Sequence, residues 1–205
     1  MDHETQSLTE RILALAPERS RGVLVAGYET FLQFGVRRAS MQDIADRAGI
    51  SRAALYLHYR SKTDIFRALM AHYFAAASDL AAEALARGGT PSEALRAAFA
   101  AQTGDAATEL IVSPHAEEFL SLKQSVARDI IAEGAARLAR VYGAWLARGL
   151  ADGTIAEDGA GPDPEAAAWV MLTALDGLKT AGLTPEAHGQ ARDRLALLFG
   201  RALTP

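Results

Sequence analysis

The 205-residue chain contains no cysteine, an absence that excludes disulfides, thiolate metal sites and cysteine nucleophiles together. No apolar stretch reaches the roughly 18 residues that cross a bilayer, and no basic segment leading into an apolar one opens the chain. The expectation is a protein without a membrane span that works in the cytoplasm. β-Branched residues form no alternating run, so no half-buried strand is indicated. HExxH, nucleophile-elbow, GxGxxG and GxxxxGK patterns are all missing, and the five histidines (His3, His58, His72, His115, His188) are scattered. Glu117 and Glu118 are neighbours that point apart on a helix and make no acid/base pair. The sequence therefore predicts no enzyme: no catalytic residue, no metal site and no cofactor.

What the chain has in abundance is alanine, 44 residues, within a composition that is 50% hydrophobic. Alanine is the strongest helix former, and an apolar half suffices for a substantial core, so the fold class expected is all-α. About nine main helices can be traced. Ser7 with Glu10 has the form of a capping box before a short helix that Pro17 terminates. A second helix spans roughly residues 19–34 and ends at Gly35, with Val23, Leu24, Tyr28, Phe31 and Leu32 facing a small core. A long one runs from Lys62 or Thr63 to about Arg87, carrying Ile65, Phe66, Leu69, Met70, Tyr73, Phe74 and Leu80 at helical spacing. Gly88-Gly89-Thr90-Pro91 is the clearest break in the chain. Beyond it come helices to about Gln102, around 105–111, and from about Gln124 to Asp152. Residues 153–163 read as a flexible acidic loop, and helices near 164–181 and 185–202 complete the count.

The most informative stretch is Met41 to Lys62, MQDIADRAGISRAALYLHYRSK. A helix from about Gln42 to Ala48, a corner at Gly49 and a second helix capped by Ser51 make a helix-turn-helix. Ile44, Ala45, Ala48, Ile50, Ala54 and Leu55 take the inward positions. Arg52, Ala53, Tyr56 and His58 are left outward, with Lys62 one turn further on. Arginine can bond guanine bidentately, a small side chain lets the backbone approach the groove floor, and Tyr, His and Lys donate to phosphate oxygens.

Charge agrees with that reading. Residues 19–62 hold eight Lys and Arg against three Asp and Glu, a net of +5, whereas the remainder holds 13 against 22, a net of −9. One basic module on an acidic protein is the footprint of a localised DNA site. The acids Asp2, Glu4 and Glu10 argue against a minor-groove arm at the front of the chain.

On FLQFG, SMQDIADRAGISRAALYLHYRSK and DIFRALMAHYF, between Val23 and Phe74, the chain resembles the TetR family of bacterial transcriptional regulators; LYLHYRSK is the most specific part. The resemblance implies an N-terminal three-helix DNA-binding domain joined by a long helix to a C-terminal helical ligand-binding and dimerisation domain. It implies that Ser40, Gln42, Arg52 and Ala53 lie at or near base edges and phosphates. It also implies phosphate contacts for Ser51, Tyr56, His58 and Lys62. The division expected is 1–18 as an extension, 19–65 as the DNA-binding domain and 66–205 as the regulatory and dimerisation domain.

The two terminal helices are apolar beyond one stripe and need a partner, so a homodimer through them is expected. One short recognition helix reads few base pairs, and a two-fold dimer would read a palindromic operator with half-site centres about 34–36 Å apart or multiples of a turn. The resemblance implies a small-molecule effector within the C-terminal helices that releases DNA, and repression as the sign of control. Candidate pocket groups are Phe99, Gln102, Thr103, His115, Phe119, Tyr142, Trp145, Trp169 and Asp176, clustered around an apolar interior. Asp176 and Lys179 either pair across a helix surface or sit inside and bind a polar ligand. The alternative function is an architectural or partner-controlled DNA-binding regulator without a small-molecule ligand.

Overall fold

The computed structural model describes residues 8–179 and 184–205, without the side chains of 105–112, 120, 123 and 124. Among the described residues there are helices and no strand. They are α1 (Leu8–Ala14), α2 (Glu18–Arg38), α3 (Met41–Arg47), α4 (Arg52–His58), α5 (Lys62–Ala86) and α6 (Pro91–Val112). There follow α7 (Ala116–Val126), α8 (Arg128–Asp152), α9 (Glu157–Ala160), α10 (Pro164–Asp176) and α11 (Pro185–Ala202). The capping box expected of Ser7 with Glu10 and the helix end expected at Ala181 lie outside the described residues.

Side-chain caps start most of these helices where the sequence places them. Ser40, Ser51 and Ser61 each accept the backbone N–H three residues on, from Asp43, Ala54 and Asp64, all at 3.1 Å. Asp43 closes a reciprocal box by accepting from the Ser40 N–H at 2.9 Å. Asp163 and Thr184 cap α10 and α11, each with proline at the first helical position, where the missing N–H costs nothing. Such caps are each worth about 0.5–2 kcal/mol, and here they set where α3 and α4 begin.

Two principal cores are threaded by α5. Its N-terminal half sends Ile65, Phe66 and Leu69 among Val23, Leu24, Phe31, Ile44, Ala45 and Leu55. Its C-terminal half sends Phe74, Ala81, Ala84 and Leu85 among Leu95, Phe99, Leu138, Tyr142, Leu146, Met171 and Leu175. Helices α5 and α8 approach closely because Gly134 lies against Phe74: a Cβ there would come within 2.1 Å of the ring. A fork from Arg67 ties the same helices, its guanidinium meeting Asp129 at 2.8 and 2.6 Å and the Val126 carbonyl at 2.7 Å. Helix α1 lies on α5, with Leu8 and Ile12 buried beside Ala76, Ala77 and Leu80.

Four expectations need correction. The second helix does not stop at Gly35: that residue turns at φ 76°, ψ 158°, and one more turn carries the chain to Arg38. The long helix expected from Gln124 is broken at Ala127, so that α7 and α8 are separate elements. Residues 153–163 are not a loose loop. Ile155 and Ala160 are buried in the core, and Ala156 N–H donates to the Leu203 carbonyl at 2.9 Å. Finally, α10 ends at Asp176, where Gly177 and Lys179 N–H groups close a turn on Thr173 and Asp176 carbonyls at 3.0 Å.

Gly35 sits where α7 meets α2. A Cβ on Gly35 would lie 2.4 Å from Glu118 Oε2 and 3.1 Å from His115 Nδ1. The Glu118 carboxylate accepts from Arg37 N–H, and His115 Nε2 lies 3.2 Å from the Gln33 carbonyl oxygen. From the other side Lys62 Nζ donates to the carbonyls of Arg37 at 2.6 Å and Ala39 at 2.7 Å.

Gly35→Ala puts a side chain at a φ/ψ combination that is essentially reserved for glycine, at a cost of about 1–3 kcal/mol. Calorimetry should show a melting temperature lower by about 2–12 °C for a chain of this size; an unchanged transition would show that the corner relaxes freely. The Arg67 hydrogen bond holds the Asp129 carboxyl down from its usual 3.8 to about 2. A lowered carboxyl contributes stability above its unfolded value and loses it as pH falls through the folded one. Asp129→Asn should therefore unfold more easily in denaturant at neutral pH, while the difference from the parent shrinks as the pH falls from about 4 to about 2.

Candidate nucleic-acid interface

The helix-turn-helix is assembled from its apolar side. Ile44, Ala45 and Leu55 are completely buried, so α3 and α4 lock onto α2 and α5 through their inner faces. Gly49 takes φ 67° at the corner between them, and Ile50 N–H returns to the Ala45 carbonyl at 3.0 Å. Arg47 anchors α3 to α2 from outside, donating to Glu29 at 3.2 Å and to Gln33. The outward side chains of α4 then project from a fixed platform.

Most of the residues expected to meet DNA are exposed. Ser40, Gln42, Ser51, Arg52, Ala53, Tyr56 and His58 are all exposed. Ser40 and Ser51 are committed as caps; the Ser40 hydroxyl also donates its proton to Asp43 Oδ2 at 2.7 Å and keeps only a lone pair, whereas the Ser51 hydroxyl keeps its proton. Gln42 Nε2 donates to Asp46 at 2.7 Å along α3, leaving its carbonyl oxygen and second N–H free of that bond. The Arg52 guanidinium is held over Tyr56, with Nη2 3.2 Å from the phenol oxygen and Cζ 5.6 Å from the ring centroid. Such a cation–π pairing restricts the arginine before any ligand arrives.

Lys62 differs from the others. It is half-buried, and two of its three ammonium protons go to the Arg37 and Ala39 carbonyls. Its first job is bracing the corner between α2 and α3, with one proton left to donate. Sequence reasoning missed this because the partners are backbone atoms some 23 and 25 residues away. It also missed Glu118 and His115 as partners of α2, and Leu57, which is 87% exposed on α4. A leucine within a helix that otherwise presents polar groups outward was the available signal for the last of these.

The nine candidate pocket residues do not converge on one place. Phe99, Gln102, Thr103 and Tyr142 do meet inside the C-terminal core. Tyr142 donates to Gln102 Oε1 at 2.9 Å, its ring centroid lies 5.8 Å from that of Phe99, and Thr103 Oγ1 bonds the Phe99 carbonyl at 2.6 Å. Burial pushes the Tyr142 phenol well above its ordinary pKa, so it stays a neutral donor. Trp145 packs against the same core from a half-buried position. Phe119, by contrast, belongs to the N-terminal core, 6.2 Å from Phe66, and His115 sits against α2. Trp169 is 40% exposed on the outer side of α10, and exposed Asp176 pairs with Lys179 at 2.9 Å.

Comparison with known proteins agrees with this geometry. Residues 23–69 match the family model described as bacterial regulatory proteins, tetR family. Over 60 residues the chain is 37% identical to the transcriptional repressor BepR of Brucella suis, a match covering 29% of each chain. Over 53 residues it is 42% identical to the transcriptional activator FasR of Mycolicibacterium smegmatis, covering 26% of this chain and 24% of that one. The sequence matches thus span under a third of either relative. The whole fold is similar to that of SmeT, repressor of the Stenotrophomonas maltophilia efflux pump SmeDEF. The TM-score is 0.66 at 24% identity, over 94% of this chain and 93% of SmeT. Residues 23–69 thus carry the helix-turn-helix module of bacterial regulatory proteins of the tetR family, and the all-helical fold around it is similar to that of SmeT.

Proposed function

We propose that the protein is a transcriptional repressor that binds a palindromic DNA operator as a homodimer and is released by a small-molecule effector. The observation that carries this reading is the exposed face of α3 and α4, bearing Gln42, Arg52, Ala53, Tyr56 and His58 on a rigidly capped corner within a basic segment. Arg52 suits a base edge, whereas Ser51, Tyr56, His58 and the remaining Lys62 proton suit phosphates, and Ser40, whose N–H and hydroxyl both donate to Asp43, serves to start α3. Arg38 and Arg60 are exposed near the same surface and add to its positive charge. BepR is named a repressor, which supports the sign of control.

Dimerisation is supported by an apolar strip on α10 and α11. Trp169 and Val170 are 40% and 61% exposed, and Ala166 and Thr173 extend their stripe at helical spacing. On α11 Leu197 and Leu198 are outward, the latter 58% exposed, between Arg194 and Arg201. Neighbouring outward apolar residues on two terminal helices favour a two-fold four-helix contact over a solvated surface. An effector site is supported by the polar group of Gln102, Thr103 and Tyr142 within an aromatic interior, and by SmeT having been solved as a triclosan complex. Release requires that the ligand bind one arrangement of the two DNA-binding domains better than the other, because equal affinity shifts nothing.

Purified protein mixed with fragments of its own genome should retain a short palindrome, with protection confined to it. Extended, sequence-indifferent protection would sink the reading in favour of an architectural factor. On that palindrome Arg52→Ala should lose about 1–3 kcal/mol and relax preference at one position, whereas loss of the Lys62 proton should weaken all sequences alike. Lys62→Ala should in addition lower the melting temperature, since its two carbonyl bonds are lost, at a cost on the order of 1–3 kcal/mol. A Lys62→Ala protein of parental stability would contradict the bracing role. Val170→Glu combined with Leu198→Glu should convert a dimer to a monomer in sedimentation equilibrium and abolish palindrome binding; a persisting dimer would place the interface elsewhere.

A further inference from the structure

Leu57 is the most exposed large apolar side chain among the described residues, at 87%. Its backbone is well fixed: Ser51 caps the start of α4, and Tyr59 N–H donates back to the Leu55 carbonyl at 3.1 Å. Leu55, two positions before it, is completely buried, which turns Leu57 outward by about 200° of helix rotation. Residues four apart share a face, so α4 presents two adjoining stripes. Arg52 and Tyr56 form a polar one, tied by their 3.2 Å hydrogen bond. Ala53 and Leu57 form an apolar one, and both residues are exposed.

No described part of the chain covers that apolar stripe, and its neighbours indicate what does. Arg52, His58 and Arg60 are exposed around it, within a segment carrying a net charge of +5. A surface of that sign attracts a polyanion, and the regulator reading above makes duplex DNA that polyanion. On double-stranded DNA the major groove is wide enough for a helix, and the apolar group it displays there is the thymine 5-methyl. We infer that Leu57, seconded by Ala53, reads thymine methyl groups, so that each half-site carries thymine where the second half of α4 enters the groove. The inference rests on the regulator reading above. It adds an apolar specificity element to the polar one at Arg52.

The test uses the full-length protein and a duplex taken from the fragment it retains. Thymines in each half-site are replaced one position at a time by deoxyuridine, which removes the methyl and leaves every hydrogen-bonding group. For the parent protein, one or two positions should show a binding loss of about 3- to 10-fold per half-site. Leu57→Ala should bind the thymine duplex correspondingly more weakly and be indifferent to methyl removal at those positions, with an unchanged salt slope because no phosphate contact is lost. Parent binding that ignores the methyl everywhere overturns the inference. So does a Leu57→Ala loss that is equal on thymine and deoxyuridine duplexes, which would seat Leu57 on the sugar edge. A Leu57→Ala protein with parental DNA binding and an altered oligomeric state overturns it in favour of a protein contact. If the parent retains no specific fragment at all, the regulator reading falls and this inference with it, whereas a clean footprint without methyl sensitivity removes this inference alone.

Discussion

The turn between Gly35 and Ser40 is the constraint on which the rest of the reading head depends. A left-handed φ at Gly35 lets α2 finish one turn out of line with its own axis, and every later residue of the helix-turn-helix inherits that direction. The carbonyls freed by such an irregular end must find donors. They find them in the Lys62 ammonium, which bonds both Arg37 and Ala39, while Ala39 N–H returns to the Gly35 carbonyl at 3.1 Å. Ser40 then starts α3 with a box that also lowers the pKa of Asp43, chiefly through the Ser40 hydroxyl. Gly35 and Ser40, with Lys62 from more than twenty residues along the chain, thus set the angle at which α3 and α4 leave the body.

The same corner is where the C-terminal helices touch the DNA-facing ones. Glu118 and His115 reach α2 from α7, and Phe119 enters the N-terminal core beside Phe66. Since α7 leads directly into α8, whose Tyr142 and Leu146 lie in the other core, a shift there has a covalent and a packed route to α2. Helix α5 offers the second route, with Phe66 in one core and Phe74 in the other, about two turns apart. Close-packed interiors transmit displacement because side chains have few alternative positions. A displacement in the C-terminal core would reach α2 through these two connections.

Much of this was legible along the chain where the cause is local. The helix-turn-helix followed from Gly49, Ser51 and the inward spacing of Ile44, Ala45 and Leu55, and the cap at Ser51 stands where the residue type puts it, whereas the Ser40 box went unread. The outward set of Arg52, Ala53, Tyr56 and His58 followed from the same periodicity. What could not be read was any role resting on a distant partner. Lys62 looked like a free phosphate donor until its carbonyl partners were in view. His115 and Phe119 shared an aromatic neighbourhood with Tyr142 in sequence, yet the break at Ala127 directs α7 toward α2. Trp169 read as interior by residue type, and α10 turns it outward while Leu172 and Leu175 fill the core.

The sequence by itself determined the all-helical class, the place and polarity of the helix-turn-helix, and the net positive charge of residues 19–62 on an otherwise acidic chain. Those properties arise from backbone preference, helical period and charge counts, all of which act within a few residues or need no geometry. Only the tertiary structure decided which polar groups are occupied in bracing the fold and which apolar groups are left without cover. Lys62 is the clearest instance of the first and Leu57 of the second. Both depend on which atoms meet when helices pack, and that is set by contacts between residues far apart along the chain.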